Sequence, residues 1–327
     1  MKIGMIGLGR MGANMTLRLM KHGHEVVTYD RDAENVKASE SEGAIGVGSL
    51  EELVQRLEPP RAAWVMLPSG DPTESTITQL GDLLQKGDII VDGGNSNYKL
   101  AMRDANTLAD KGIHFIDAGV SGGVWGLKEG YCLMVGGDAE AVKQVEPIFL
   151  ALAPDGGYAH VGPVGAGHFV KMVHNGIEYG LLQAYAEGFA LMHSADEFNL
   201  DLHEIASIWR YGSVVRSWLL DLTELALKND DEFSKIRGYI EDSGEGRWTI
   251  EEAITRGVSA PVMAISLFER FQSREPDSFA AKIIAALRNQ FGGHKFFEEA
   301  AAAEVNREGD KEQGAGAQAA GEPAASS

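Results

Sequence analysis

The sequence predicts an α/β domain built on a parallel sheet, followed by an all-helical domain. Three observations carry this reading. Short apolar runs alternate with amphipathic segments through the first half of the chain, the pattern of strands joined by crossover helices. A glycine-rich turn separates the first apolar run from the first amphipathic one, and from Val164 onward strand-like runs give way to helical periodicity. A chain of 327 residues has room for two domains. The predicted strands are Lys2–Ile6, Glu25–Tyr29, Ala62–Leu67, Asp88–Asp92, His114–Asp117 and Tyr131–Val135. Helical periodicity covers Met11–His22, Ala33–Ser41, Leu50–Leu57 and Asn97–Lys111 between them. Beyond Pro163 a long helix over Gly165–Ser194 precedes shorter ones at Leu202–Tyr211, Val214–Leu227, Thr249–Thr255 and Pro261–Gln272. The expected division is 1–163, 164–300 and a tail, 301–327. The tail is too poor in large apolar side chains to offset its ordering entropy, so disorder is expected there.

Charge narrows the function. Twenty-nine Lys and Arg against 48 Asp and Glu leave a net charge of -19, which repels nucleic acid and anionic lipid and excludes both as general partners. No apolar stretch approaches the roughly 20 residues that span a bilayer, and the start lacks a signal peptide's apolar core. A cytoplasmic location follows as the expectation. Cys132, the single cysteine, allows no intrachain disulfide and is expected to be buried and inert in its apolar strand. His22 and His24 read as turn residues, and no metal is expected.

Gly7-Leu8-Gly9-Arg10-Met11-Gly12 follows the first strand and opens the first helix, the context a dinucleotide fingerprint requires. Gly7 allows the tight turn, Gly9 lets a pyrophosphate approach the backbone, and Gly12 lets helix and sheet pack. The first domain is therefore of Rossmann type. Asp30 ends the second strand, where a carboxylate grips the adenosine ribose, and with Asp32 it opposes a 2′-phosphate. Arg31 argues for that phosphate, but two carboxylates against one guanidinium favour NAD over NADP. Leu67, Pro68 and Ser69, after the third predicted strand, complete the expected cofactor contacts. On the long helix, Lys171, His174, Asn175, Glu178 and Tyr179 fall at offsets of zero, three, four, seven and eight, so one face carries five polar side chains. The neighbouring Phe169, Val170, Val173 and Ile177 suggest that this helix is buried, where polar groups need partners that an active site supplies.

At these residues the chain resembles the decarboxylating 6-phosphogluconate dehydrogenases, up to about Phe297. The resemblance rests on the glycine turn, Asp92-Gly93-Gly94-Asn95-Ser96, Gly119-Val120-Ser121-Gly122-Gly123, Lys171 to Tyr179, and Arg288-Asn289-Gln290-Phe291-Gly292-Gly293-His294. It implies a short form of the family, with one copy of the helical unit. It further implies Lys171 as base and Glu178 as acid, with Asn95, Ser121, Gly122 and Gly123 holding substrate and Asn95 also meeting the cofactor. His174, Asn175, Tyr179, Arg270, Arg288 and His294 complete the implied substrate set. Arg288 and His294 would reach the phosphate of a phosphorylated sugar acid bound by a neighbouring subunit of a homo-oligomer. Ser243 and Glu245 stand where longer members carry Lys and Thr, with Arg247 as a possible substitute, and Val124-Trp125 replaces a Glu-Glu pair. The alternatives on this fold are a simple β-hydroxyacid dehydrogenase of 3-hydroxyisobutyrate type and a non-catalytic NAD-binding sensor.

Overall fold

The computed structural model describes residues 1–230, 233–293 and 295, which fall into two compact units, Met1–Ser273 and one beginning at Arg274. The first unit opens with β1 (Lys2–Ile6), α1 (Arg10–Lys21), β2 (Glu25–Tyr29), α2 (Ala33–Ser41), β3 (Ile45–Gly46), α3 (Leu50–Arg56), β4 (Ala62–Val65) and α4 (Asp71–Leu83). It continues with β5 (Ile89–Asp92), α5 (Tyr98–Ala109), β6 (His114–Ser121), α6 (Gly126–Glu129), β7 (Cys132–Gly137), α7 (Ala139–Leu152) and β8 (Tyr158–Gly162). The strands form one sheet in the order β3-β2-β1-β4-β5-β6-β7-β8, parallel except for the β6–β7 pair. Helices cover both faces, so β1, β4 and β5 are continuous apolar runs, as a sheet buried on both sides requires. Trp64 and Phe149 pack edge to face in the core of one face; Leu53, Leu80 and Phe115 belong to the other.

Past β8 the chain is helical: α8 (Ala166–His193), α9 (Leu202–Trp209), α10 (Trp218–Asn229), α11 (Glu245–Arg256) and α12 (Pro261–Gln272). Helix α13 (Phe279–Gly292) belongs to the second unit. The fold is therefore the predicted Rossmann-type domain followed by helices. The periodicity missed α4, α6, α7, α13, β3 and β8. Helix α4 is rich in Ser and Thr, poor helix formers, and is carried by the buried stripe Thr73, Ile77, Leu80 and Gly81. Helix α7 contains Pro147, and β8 is an edge strand with a mostly exposed, non-alternating pattern. Residues 301–327, with the expected tail, and His294 lie outside the described residues.

Helix α8 is the seat of the site, and small residues let it lie directly on the sheet. A Cβ on Gly167 would come within 2.3 Å of the Asp117 carbonyl oxygen and 2.5 Å of that of Met134, while one on Gly119 would sit 2.5 Å from Lys171 Cβ. The fully buried Asp117 carboxylate accepts hydrogen bonds from the Gly165 and His168 backbone N–H groups, each at 2.7 Å. A charged acceptor on those first-turn donors anchors α8 to β6 one turn before Lys171.

Candidate active site

The glycine turn has the form a dinucleotide needs. A Cβ on Gly12 would fall 1.9 Å from the Gly7 carbonyl oxygen, so only glycine lets α1 start this close to β1. Gly9 has open space above it, and no side chain caps α1 there, leaving first-turn N–H groups for an anion. Asp30 reaches back to this turn: one carboxylate oxygen accepts from Leu8 N–H at 2.6 Å and the other from Asp32 N–H at 2.8 Å. Asp32 caps α2 through Glu34 N–H, and both Arg10 and Arg31 are exposed. Leu67, Pro68 and Ser69 follow β4, where Thr73 donates to the Leu67 and Pro68 carbonyls.

A cleft of about 960 Å³ runs from Met11, just past the glycine turn, to the exposed side of α8. Besides Met11, it gathers eight further predicted residues: Asn95, Ser121, Gly122, Gly123, Lys171, His174, Asn175 and Glu178. Asn95 follows β5 in a left-handed conformation, φ 54°, and clamps the end of β6 by accepting from Val120 N–H and donating to its carbonyl. Lys171 is buried and donates from Nζ to Asn175 Oδ1 at 2.6 Å. His174 Nδ1 lies 2.9 Å from the same oxygen, which requires a proton on Nδ1 and leaves Nε2 to accept from Ser121 Oγ at 3.3 Å. Glu178 Oε2 stands 4.0 Å from His174 Nδ1. Burial pushes the Lys171 amine below the usual lysine range, and the negative charge of Glu245, then of Glu178 and Cys132, opposes the shift.

The remaining predicted residues lie elsewhere. Tyr179, fifth on the α8 stripe, does not line the cleft; it is buried, with the Arg270 guanidinium 3.5 Å over its ring and Ser243 N–H donating to its hydroxyl. Arg270 also donates to the Glu241 carbonyl. Arg247 pairs with Asp242 through two nitrogens, at 2.8 and 2.9 Å, so its charge is already matched. Arg288 is exposed on α13 of the second unit. Cys132 corrects its expectation: it is exposed, because it begins β7 opposite Ser121 at the cleft end of the sheet. Asp117 was not singled out from the sequence, and Glu245 was noted only as a departure from the longer members of the family, not as a neighbour of Lys171. A lone acidic residue ending the apolar run His114–Asp117 was the available signal for the first; no local spacing places Glu245, buried at the start of α11 where Gly246 packs on Tyr179 of α8. Among the described residues, no group of three or more His, Cys, Asp or Glu could hold a metal, and no helix is long and apolar enough to cross a membrane.

Fold and turn together define a Rossmann-like, NAD-binding domain joined to a helical domain that completes its cleft. Residues 2–162 match the NAD binding domain of 6-phosphogluconate dehydrogenase and residues 167–281 match the C-terminal domain of the same enzyme. The chain belongs to the 6-phosphogluconate dehydrogenase family, in its short form. It is 45% identical over 294 residues to YqeC of Bacillus subtilis, a protein provisionally named as a 6-phosphogluconate dehydrogenase, covering 90% of this chain and 98% of that one. It is 41% identical over 298 residues to the NAD(+)-dependent, decarboxylating 6-phosphogluconate dehydrogenase of Haloferax volcanii, with the same coverage. The 6-phosphogluconate dehydrogenase of Plasmodium falciparum superposes with a TM-score of 0.77 at 29% identity, over 95% of this chain and 69% of that longer one.

Proposed function

We propose that this chain oxidises 6-phospho-D-gluconate at C3, using NAD, and releases carbon dioxide to give D-ribulose 5-phosphate. The observation that carries this reading is the buried Lys171 amine, held by Asn175 beside His174 and Glu178 in a cleft that starts at the glycine turn. NAD, when bound, supplies the hydride acceptor, and the uncapped start of α1 would hold its pyrophosphate. Because burial lowers its pKa, Lys171 can be neutral and take the C3 hydroxyl proton as hydride leaves C3. The product is a β-keto acid. Lys171, now an ammonium, returns that proton to the C3 oxygen while the C1–C2 bond breaks and its electrons form the C2=C3 enediol. Glu178, partly exposed on the same helix, protonates the carbon that becomes C1 of the product, while Lys171, neutral again, takes the proton from the former C3 hydroxyl and leaves the ketone of D-ribulose 5-phosphate.

His174 and Asn175 orient Lys171 and meet the substrate hydroxyls, while Ser121, Gly122 and Gly123 receive the carboxylate end. Arg270, backed by Tyr179, takes the phosphate with Arg288 and His294 of a neighbouring subunit. Residues 1–163 thus hold the dinucleotide and the carboxylate end of the sugar acid, and 164–300 the rest of it. The test is NADH formation by the purified chain with 6-phosphogluconate and, separately, with 3-hydroxyisobutyrate. Turnover with the first and carbon dioxide release in equal amount are expected. Turnover with 3-hydroxyisobutyrate alone would replace this reading with the simple β-hydroxyacid dehydrogenase. Lys171→Met should lower kcat by about 10²–10⁴-fold and leave NAD binding intact.

A further inference from the structure

The cleft has two unlike sides. Along α8 the polar Lys171, His174 and Asn175 stand among apolar side chains such as Val173 and Ile177, whereas the turn Gly123–Trp125 between β6 and α6 presents only Val124 and Trp125, 49% and 39% exposed. This apolar patch is held in place. Arg18 of α1 donates from Nε to the Ala151 and Leu152 carbonyls, at 3.1 and 2.9 Å, and from Nη1 to that of Leu127 in α6 at 3.4 Å. Asn14, also on α1, reaches the Val124 carbonyl at 3.5 Å. Gly126 packs flat on the Tyr131 ring, where a Cβ would fall 1.9 Å from a ring carbon. The indole is thus fixed at the edge of the cleft with part of its apolar face left bare.

We propose that Trp125 is the platform on which the nicotinamide ring packs, an inference that rests on the dinucleotide reading of this cleft. The turn that bears Trp125 is braced against α1, the helix whose start would hold the pyrophosphate, and Met11, Met66 and Asn95 continue the same cleft past the carboxyl ends of β4 and β5. The sugar acid's hydroxyl groups are matched by Lys171, His174 and Asn175 of α8 instead, and its carboxylate by Ser121, Gly122 and Gly123, ahead of Trp125 in the turn. A planar nicotinamide ring gains from an indole by stacking in both its oxidised and reduced forms, and by cation–π attraction when it is the oxidised pyridinium.

The experiment compares two ligands by calorimetry on the full chain, without sugar acid. NADH carries the nicotinamide; ADP-ribose keeps the adenosine, pyrophosphate and ribose but lacks the ring. Trp125→Ala should weaken NADH binding about three- to tenfold and leave ADP-ribose unchanged, and Trp125→Phe should restore most of the loss. Equal weakening of both ligands would trace the effect to the glycine turn and overturn the proposal. No change in either would overturn it as well. A wild-type chain that binds neither ligand would fail the dinucleotide reading itself, a result distinct from the other two.

Discussion

Lys171 is the residue on which stability and chemistry pull apart. Its pKa is lowered in the fold, first by burial, so the folded chain binds this proton less readily than the unfolded chain does. The penalty is fully present below the folded pKa, shrinks as pH rises through the folded value, and disappears above the ordinary lysine value. Lys171→Met, which removes the buried charge, should therefore raise the melting temperature at neutral pH while abolishing turnover. The gain should vanish as pH approaches the usual lysine range, as paired thermal melts across pH would register. In the active enzyme, kcat/KM should rise with pH along an acid limb set by Lys171, below the ordinary lysine range. Asp30 has two tasks of a different kind. It ties the glycine turn through Leu8 N–H, and on the proposed reading its charge opposes a 2′-phosphate. The chain should prefer NAD to NADP by at least about tenfold in kcat/KM, or 1.4 kcal/mol. Asp30→Asn should narrow that preference; equal efficiency in the wild type would mean that Arg31 prevails.

At the scale of elements, the contact of α8 with β6 decides where the Lys171 amine stands. Gly119→Ala places a methyl 2.5 Å from Lys171 Cβ against a helix already seated on backbone carbonyls, so one of them must move. The expected outcome is a kcat loss of tenfold or more with KM for NAD nearly unchanged, since the glycine turn lies on another strand. Asp117→Ala acts on the other end of the same joint. It strips the acceptor from two buried N–H groups, and charge-assisted hydrogen bonds contribute about 1.5–3 kcal/mol each. Urea unfolding should show a loss of at least about 3 kcal/mol, and Asp117→Asn a smaller one because it keeps one acceptor oxygen.

For the whole molecule, the helical region exposes large apolar side chains that a lone chain would leave in water. Leu181, Ile254, Val258, Val262, Ile265 and Phe268 are between 45% and 76% exposed, and together they argue for a homo-oligomer. The stronger prediction is that neighbouring subunits complete each other's sites. Arg288→Ala and Lys171→Met chains should each be inactive or nearly so with 6-phosphogluconate. Mixed and reassociated, they should regain activity, because some sites would then hold both intact groups. Absence of recovery in samples shown by native mass spectrometry to contain hybrids would place Arg288 outside a shared site.

What the sequence determined by itself was chiefly local. The glycine turn, the fold class and the α8 stripe were legible because each depends on short spacing: a turn before a helix, or a 3.6-residue period that stacks Lys171, Asn175 and Glu178. Helix α2 and the strands β1 and β2 have the predicted bounds for the same reason. Long-range pairing was hidden. Nothing local to Asp117 says that it will anchor a helix 48 residues later, nor to Cys132 that its strand begins at the open end of the sheet rather than inside it. Tyr179 shows the limit of periodicity: it shares the stripe, yet lies at its edge, and packing against Gly246 of α11 turns it toward Arg270 instead of the cleft. Periodicity assigns a side chain to a face of its own helix. Only the neighbours that cover that face decide whether it meets solvent, another side chain or a substrate.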